Sequence, residues 1–152
     1  MEKYKTLPLK ESDIKDLHAG DYVYLTGTIY TGRDAAHKRM YESLCADQKV
    51  PMPLKGNIIY YMGPSPAREG RPIGSAGPTT ASRMDKYAPE LLDLGLGGMI
   101  AKGKRSDAVI ESIVKNQSIY FSITSFSSLF SCVFIYCNNP LKPKPIAIET
   151  QI

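Results

Sequence analysis

The run Tyr22-Val23-Tyr24-Leu25, within Asp21 to Tyr30, is β-branched and aromatic and predicts a strand that ends at Thr31-Gly32. From Arg33 to Asp47, Ala35, Ala36, Met40 and Leu44 recur near helical spacing, which predicts a helix. Asn57 to Met62, Gly97 to Ala101 and Ile119 to Ile123 read as further strands. Met84 to Leu94 reads as a short helix with Pro89 early in it, and Ser106 to Lys115 as a helix with Ser106 at its N-cap. Leu7 to Leu17 reads as a leader with an Asp13-containing turn, and Val50 to Gly56, with Pro51 and Pro53, as a connector. Gly63 to Pro78 is dense in glycine and proline and must be a loop, long enough to suggest a functional one. Strands alternating with helices predict a mixed α/β domain.

The longest apolar stretch, Ser118 to Cys137, raises the question of a membrane span, but its six serines favour buried strands. Met1 to Leu17 is charged and has no apolar segment of the signal-peptide kind. A length of 152 residues fits one domain with its own core, so a single domain over 1–152 is expected. The net charge of +4 is scattered rather than striped, which argues against nucleic acid and favours small acidic ligands. Three cysteines, Cys45, Cys132 and Cys137, form neither a disulfide framework nor a CxxC pair, so a reducing cytoplasm is the expected compartment. Cys132 and Cys137 alone are a weak metal signal, and no metal site is expected on this chain.

Candidate chemistry concentrates in two glycine-bracketed turns. Gly77-Pro78-Thr79-Thr80-Ala81-Ser82-Arg83-Met84-Asp85 and Lys102-Gly103-Lys104-Arg105-Ser106 both set cations and hydroxyls where backbone N–H groups can converge on one anion. On residue types alone, the threonines serve equally well as helix caps and the basic run as a solvated turn. Arg83 weighs toward ligand binding, because a guanidinium fork matches a carboxylate and only Asp85 stands beside it as an acidic neighbour. Lys102 follows a strand, and ligands of open α/β sheets gather at strand C-terminal ends. Gly32-Arg33-Asp34 sits at a strand-to-helix junction that attracts anions, although Asp34 could equally cap the helix and Arg33 be solvated. His37 reads as an ordinary surface or core histidine. No nucleophile motif, Walker loop or dinucleotide fingerprint is present.

Thr31-Gly32-Arg33-Asp34-Ala35-Ala36-His37-Lys38-Arg39, Tyr61-Met62-Gly63-Pro64-Ser65-Pro66, Gly77 to Asp85 and Ala101-Lys102-Gly103 occur in an order that resembles the β subunit of two-subunit class I fumarate hydratases and L-tartrate dehydratases. The resemblance runs from about Asp21 to Tyr120. It implies a swivelling β/β/α domain with a mixed central sheet. It also implies a separate α subunit, in a heterodimer or heterotetramer, that carries a [4Fe–4S] cluster and completes the site; the isolated chain could form a homodimer. By position it makes Thr79 the proton-abstracting group, Lys102 the cation near developing negative charge, and Arg33 and Arg83 carboxylate clamps, with Asp34 and Thr80 also at the substrate. The substrate would be a C4 2-hydroxy dicarboxylate, interconverted with its unsaturated or keto product. The other reading is a non-catalytic dicarboxylate-binding or assembly module of the same fold. From Ser122 to Ile152 the sequence departs from the family pattern, and a truncated or altered C-terminal segment is expected.

Overall fold

A computed structural model describes residues 1–71, 74–75 and 77–124, together with the backbone of strands 131–135 and 145–148. Strands β1 (Glu2–Thr6) and β2 (Tyr22–Thr26) pair in parallel as a two-stranded sheet, with helix α1 (Glu11–Lys15) between them in sequence. Strands β3 (Tyr30–Thr31), β4 (Ile58–Tyr60), β5 (Gly98–Ala101) and β6 (Ile119–Thr124) run parallel, in that order, in a six-stranded sheet. Its far side is completed by β7 (Ser131–Ile135) and β8 (Pro145–Ile148), both antiparallel to their neighbours. Helices α2 (Asp34–Cys45), α3 (Ala88–Asp93) and α4 (Asp107–Lys115) fill the connections between the parallel strands, and a 3-10 turn covers Ala81–Met84.

Alternation along the strands builds two cores. Ile59, Tyr61, Met99, Ala101 and Tyr120 pack with Met40 of α2, Leu91 and Leu92 of α3, and Val109 and Ile113 of α4. Ile58, Ile100, Ile119, Phe121 and Ile123 face the other way, onto Leu9, Leu17, Val23 and Leu25. The central sheet therefore lies between a helical layer and a layer made by β1, β2 and the leader, a β/β/α arrangement with mixed strand directions. At one close crossing, a side chain at Gly97 would meet the Gly56 backbone at 2.6 Å.

The sequence expectations for α2, β4, β5, α4 and β6 agree with the structure to within one or two residues at each end. Three others need correction. The leader contains α1, and β1 precedes it. The single strand predicted over Asp21 to Tyr30 is two short strands in different sheets; Gly27, at φ 132°, turns the chain between them. The helix predicted from Met84 starts only at Ala88, with Pro89 in its first turn, because the preceding residues are wound as the 3-10 turn. The apolar stretch supplies β6 and β7, and no helix among the described residues is long and apolar enough to cross a membrane. The side chains of Cys132 and Cys137, and most of the segment from Ser122 onward, lie outside the described residues.

Candidate active site

Three parallel strands end side by side, and the motif residues follow directly from those ends. Arg33 and Asp34 follow β3, Gly63 follows β4, and Lys102 follows β5. The 77–85 segment is drawn to the same edge by its backbone. Thr79 N–H donates to Tyr61 O (2.7 Å) and its carbonyl accepts from Lys102 N–H (3.2 Å), while Ala81 N–H donates to Lys102 O (2.8 Å). Isolated bridges Met62 to Pro78 and Thr80 to Lys102 continue the sheet into these loops. The carboxyl ends of parallel strands are where α/β sheets bind ligands.

Thr79 is buried, at 8% exposure, whereas Thr80, Lys102, Arg33 and Arg83 are exposed and Asp34 is half-buried. Arg83 Nε donates to Asp34 Oδ1 at 2.9 Å, so the predicted clamp and the predicted N-terminal acid of α2 meet across 49 residues. A guanidinium has five N–H donors, and this contact occupies one of them. Arg33 lies across Gly63: a side chain there would fall 2.7 Å from Arg33 Nε, so glycine leaves the space that the arginine occupies. The structure thus gathers Arg33, Asp34 and Arg83 in one group and Thr79, Thr80 and Lys102 in another, with both groups on the same sheet edge.

Neither Ser106 nor Thr80 makes a side-chain cap hydrogen bond, although each occupies the N-cap position of its helix. Ser106 instead donates its backbone N–H to Asp85 Oδ2 at 2.7 Å. Asp85, which sequence proximity suggested for Arg83, faces Arg105 instead: Nε stands 3.0 Å from Oδ1, an ion pair by distance without an aligned hydrogen bond. The basic run is therefore not uniformly solvated, since the Arg105 side chain is fully buried.

Of the surface and core readings open for His37, the structure shows the core one. Its ring is buried, stands edge-on to Tyr61 at a centroid distance of 4.6 Å, and has Nδ1 2.9 Å from Arg33 O. Burial lowers its pKa to about 4, against the opposing backbone hydrogen bond, so the ring is neutral at pH 7 and Nδ1–H donates to the carbonyl. Burial likewise raises the Tyr61 phenol, which stays protonated. Tyr61 stands near the end of an apolar run in the sequence, whereas His37 is followed directly by the charged pair Lys38-Arg39. Among the described residues no three His, Cys, Asp or Glu side chains come together to hold a metal ion, and Cys45 is exposed, outside any disulfide and beside Tyr41.

Fold and loops together define an α/β domain whose motif loops gather at the carboxyl ends of adjacent parallel strands. The family model described as "Fumarase C-terminus" matches residues 3–128, and the chain belongs to that family. It is 41% identical over 117 residues to "Fumarate hydratase class I, anaerobic" of Escherichia coli (strain K12), covering 74% of this chain and 21% of that protein. To "Fumarate hydratase class I, aerobic" of Salmonella typhimurium (strain LT2) it is 44% identical over 98 residues, or 63% of this chain and 17% of that one. To "L(+)-tartrate dehydratase subunit beta" of Escherichia coli (strain K12) it is 32% identical over 123 residues, 79% of this chain and 60% of the relative. The chain thus spans about a fifth of the hydratases and three fifths of the β subunit.

Proposed function

We propose that this chain is the β-type part of a hydro-lyase that interconverts a C4 2-hydroxy dicarboxylate with its dehydrated product, fumarate and L-malate or the tartrate pair. The observation that carries this reading is the convergence of Arg33, Arg83, Thr79 and Lys102 at adjacent strand ends. Family membership and the names of the relatives support it.

In this reading Arg33 and Arg83 hold the two carboxylates. Double anchoring fixes the reacting carbons against the protein, an orientation effect that can lower the barrier by several kcal/mol. The Thr79 hydroxyl removes the proton from the carbon next to the one that carries the leaving hydroxyl. A hydroxyl is a weak base unless its conjugate is stabilised, and in this reading the Lys102 cation supplies that stabilisation; the Thr79 carbonyl accepting the Lys102 N–H and the burial of Thr79 support it. Lys102 then offsets the negative charge that develops as the proton leaves. Asp34 holds Arg83, and Thr80 lines the same turn.

The described residues of this chain do not fit the ligand set of an iron–sulfur cluster. The cluster belongs in this proposal to an α-type partner, where it would supply the Lewis acid for the departing hydroxyl. The β/β/α domain would swivel against that partner to close the site, in a cytoplasmic assembly.

The test is co-expression with an α-type subunit, anaerobic reconstitution and a fumarate-hydration assay, with tartrate in parallel. Activity that requires both chains and falls at least about tenfold in Arg33→Met and Arg83→Met is expected. Activity that is indifferent to both arginines would refute the assignment. Dicarboxylate binding by an assembly that never turns over would favour the non-catalytic module.

A further inference from the structure

Besides their backbone hydrogen bonds, the two site loops are joined by a buried ion pair. In the turn 102–106 every side chain but Arg105 is exposed or absent, and the Arg105 guanidinium is fully buried. Its central carbon stands 5.3 Å from the ring centroids of both Tyr61 and Tyr120, and its Nε stands 3.0 Å from Asp85 Oδ1. Asp85 lies two residues after Arg83 in the other loop, and its second oxygen accepts the Ser106 N–H. Tyr120 closes the same turn from below by donating its hydroxyl to Gly103 O at 2.8 Å. The guanidinium thus touches the strand end before the Thr79 loop, the strand under the Lys102 loop, and the acid that joins the two.

A buried ion pair is a poor way to add stability, because desolvation consumes most of the Coulombic gain. What such a pair can do is fix one geometry. We propose that Asp85 and Arg105 are positioning residues that set the 79–83 turn against the 102–104 turn, and so hold Thr79 at a fixed place relative to Lys102. The functional half of this inference rests on the reading of Thr79 and Lys102 given above; the structural half does not.

Amide hydrogen exchange on the full chain tests it directly. Ala81 N–H to Lys102 O and Lys102 N–H to Thr79 O are the bonds between the turns, and Ile119 N–H to Gly97 O is a reference away from them. Arg105→Lys keeps the charge opposite Asp85 but loses the planar fork that spans the two rings. Asp85→Asn combined with Arg105→Met removes both charges together, so no uncompensated ion is left inside. In each variant, exchange at Ala81 and Lys102 should quicken at least about tenfold while the Ile119 amide stays within about threefold. Wild-type protection at Ala81 and Lys102 in either folded variant would overturn the proposal. So would parallel loosening at Ile119, or failure of Arg105→Lys to fold, since either makes Arg105 an ordinary core residue. In the assembled enzyme the same variants should lose at least about tenfold in kcat, with KM rising as well because Arg83 belongs to the displaced turn. A wild-type assembly without activity would count against the proposed function, and the exchange data would still decide this inference.

Discussion

Acidification from pH 7 to pH 5 should destabilise this chain through one residue, His37. In the folded state burial lowers its pKa to about 4, with the Arg105 charge adding a smaller push and the Arg33 carbonyl and Asp34 opposing. In the unfolded chain the imidazole has an ordinary value near 6.5. A group whose folded pKa is depressed contributes stability that is present above the unfolded pKa and is lost as pH falls toward the folded one. A gap of about 2.5 units corresponds to about 3 kcal/mol in full, of which about 2 kcal/mol falls between pH 7 and pH 5. That is a large part of the margin of a small domain.

Urea unfolding of the full chain, followed by circular dichroism at pH 7, 6 and 5, reads this out. His37→Gln lacks the titrating ring but keeps a side-chain amide to donate toward the Arg33 carbonyl, so it should lower stability at pH 7 and flatten the slope to below about 0.5 kcal/mol over the same interval. The exposed His18 is common to both proteins and cancels in the comparison. Acidic groups such as Asp16, held near 2 by hydrogen bonds from Lys3 and Lys5, titrate below this window. Equal stability of the natural chain at pH 7 and pH 5, or an unchanged slope in the variant, would refute the assignment.

Gly63→Ala inserts a carbon where Arg33 Nε lies, and because that atom belongs to a flexible side chain the cost should fall on dicarboxylate affinity, weakened about tenfold, with Tm nearly unchanged. Arg83→Lys keeps the charge beside Asp34 but removes the fork, so in an active assembly substrate binding should weaken by about 2 kcal/mol; unchanged KM and kcat would leave Arg83 a surface ion pair. Thr79→Val keeps the shape and removes the hydroxyl, and should depress kcat and kcat/KM together, as should Lys102→Met; a lowered Tm with near-normal turnover would show Thr79 to be scaffold.

The sequence carried α2, α4 and the central strands because their signals are local. α4 has apolar positions at helical spacing, and β4 through β6 are short apolar runs bounded by glycine, asparagine or serine. β1 was not legible: Lys3 and Lys5 are polar, and the strand exists because it pairs with β2 and because Asp13 in the first turn of α1 and Asp16 at its C-cap receive those lysines. The split between β2 and β3 depends on which sheet each finds as its partner, which no window of residues contains. In the site, the turns and their cations were visible as motifs. The partner of each charge was not: Arg83 passes over Asp85, two residues away, to reach Asp34, and Arg105 takes Asp85, because folding sets distances that sequence separation does not report.

That exchange of partners explains how one edge can be both cationic and ordered. Arg33, Arg83 and Lys102 bring three positive charges, and Asp34 returns one negative, so the named groups leave two positive charges for a ligand, the complement of a dicarboxylate. An exposed pair such as Arg83 with Asp34 is worth about 0–1 kcal/mol, too little to matter for stability but enough to bias one rotamer of a long side chain. Asp34 takes Nε only, and carboxylate recognition needs two parallel donors, which the remaining N–H groups of the guanidinium can provide. The buried members of the cluster work differently. His37 is kept neutral and spends its one N–H on the backbone of Arg33, and Arg105 is balanced within the protein by Asp85, so neither adds net charge to that edge. In the proposed site, charge for the ligand is carried by exposed side chains, while the geometry of the loops that present them is held by groups that are neutral or paired.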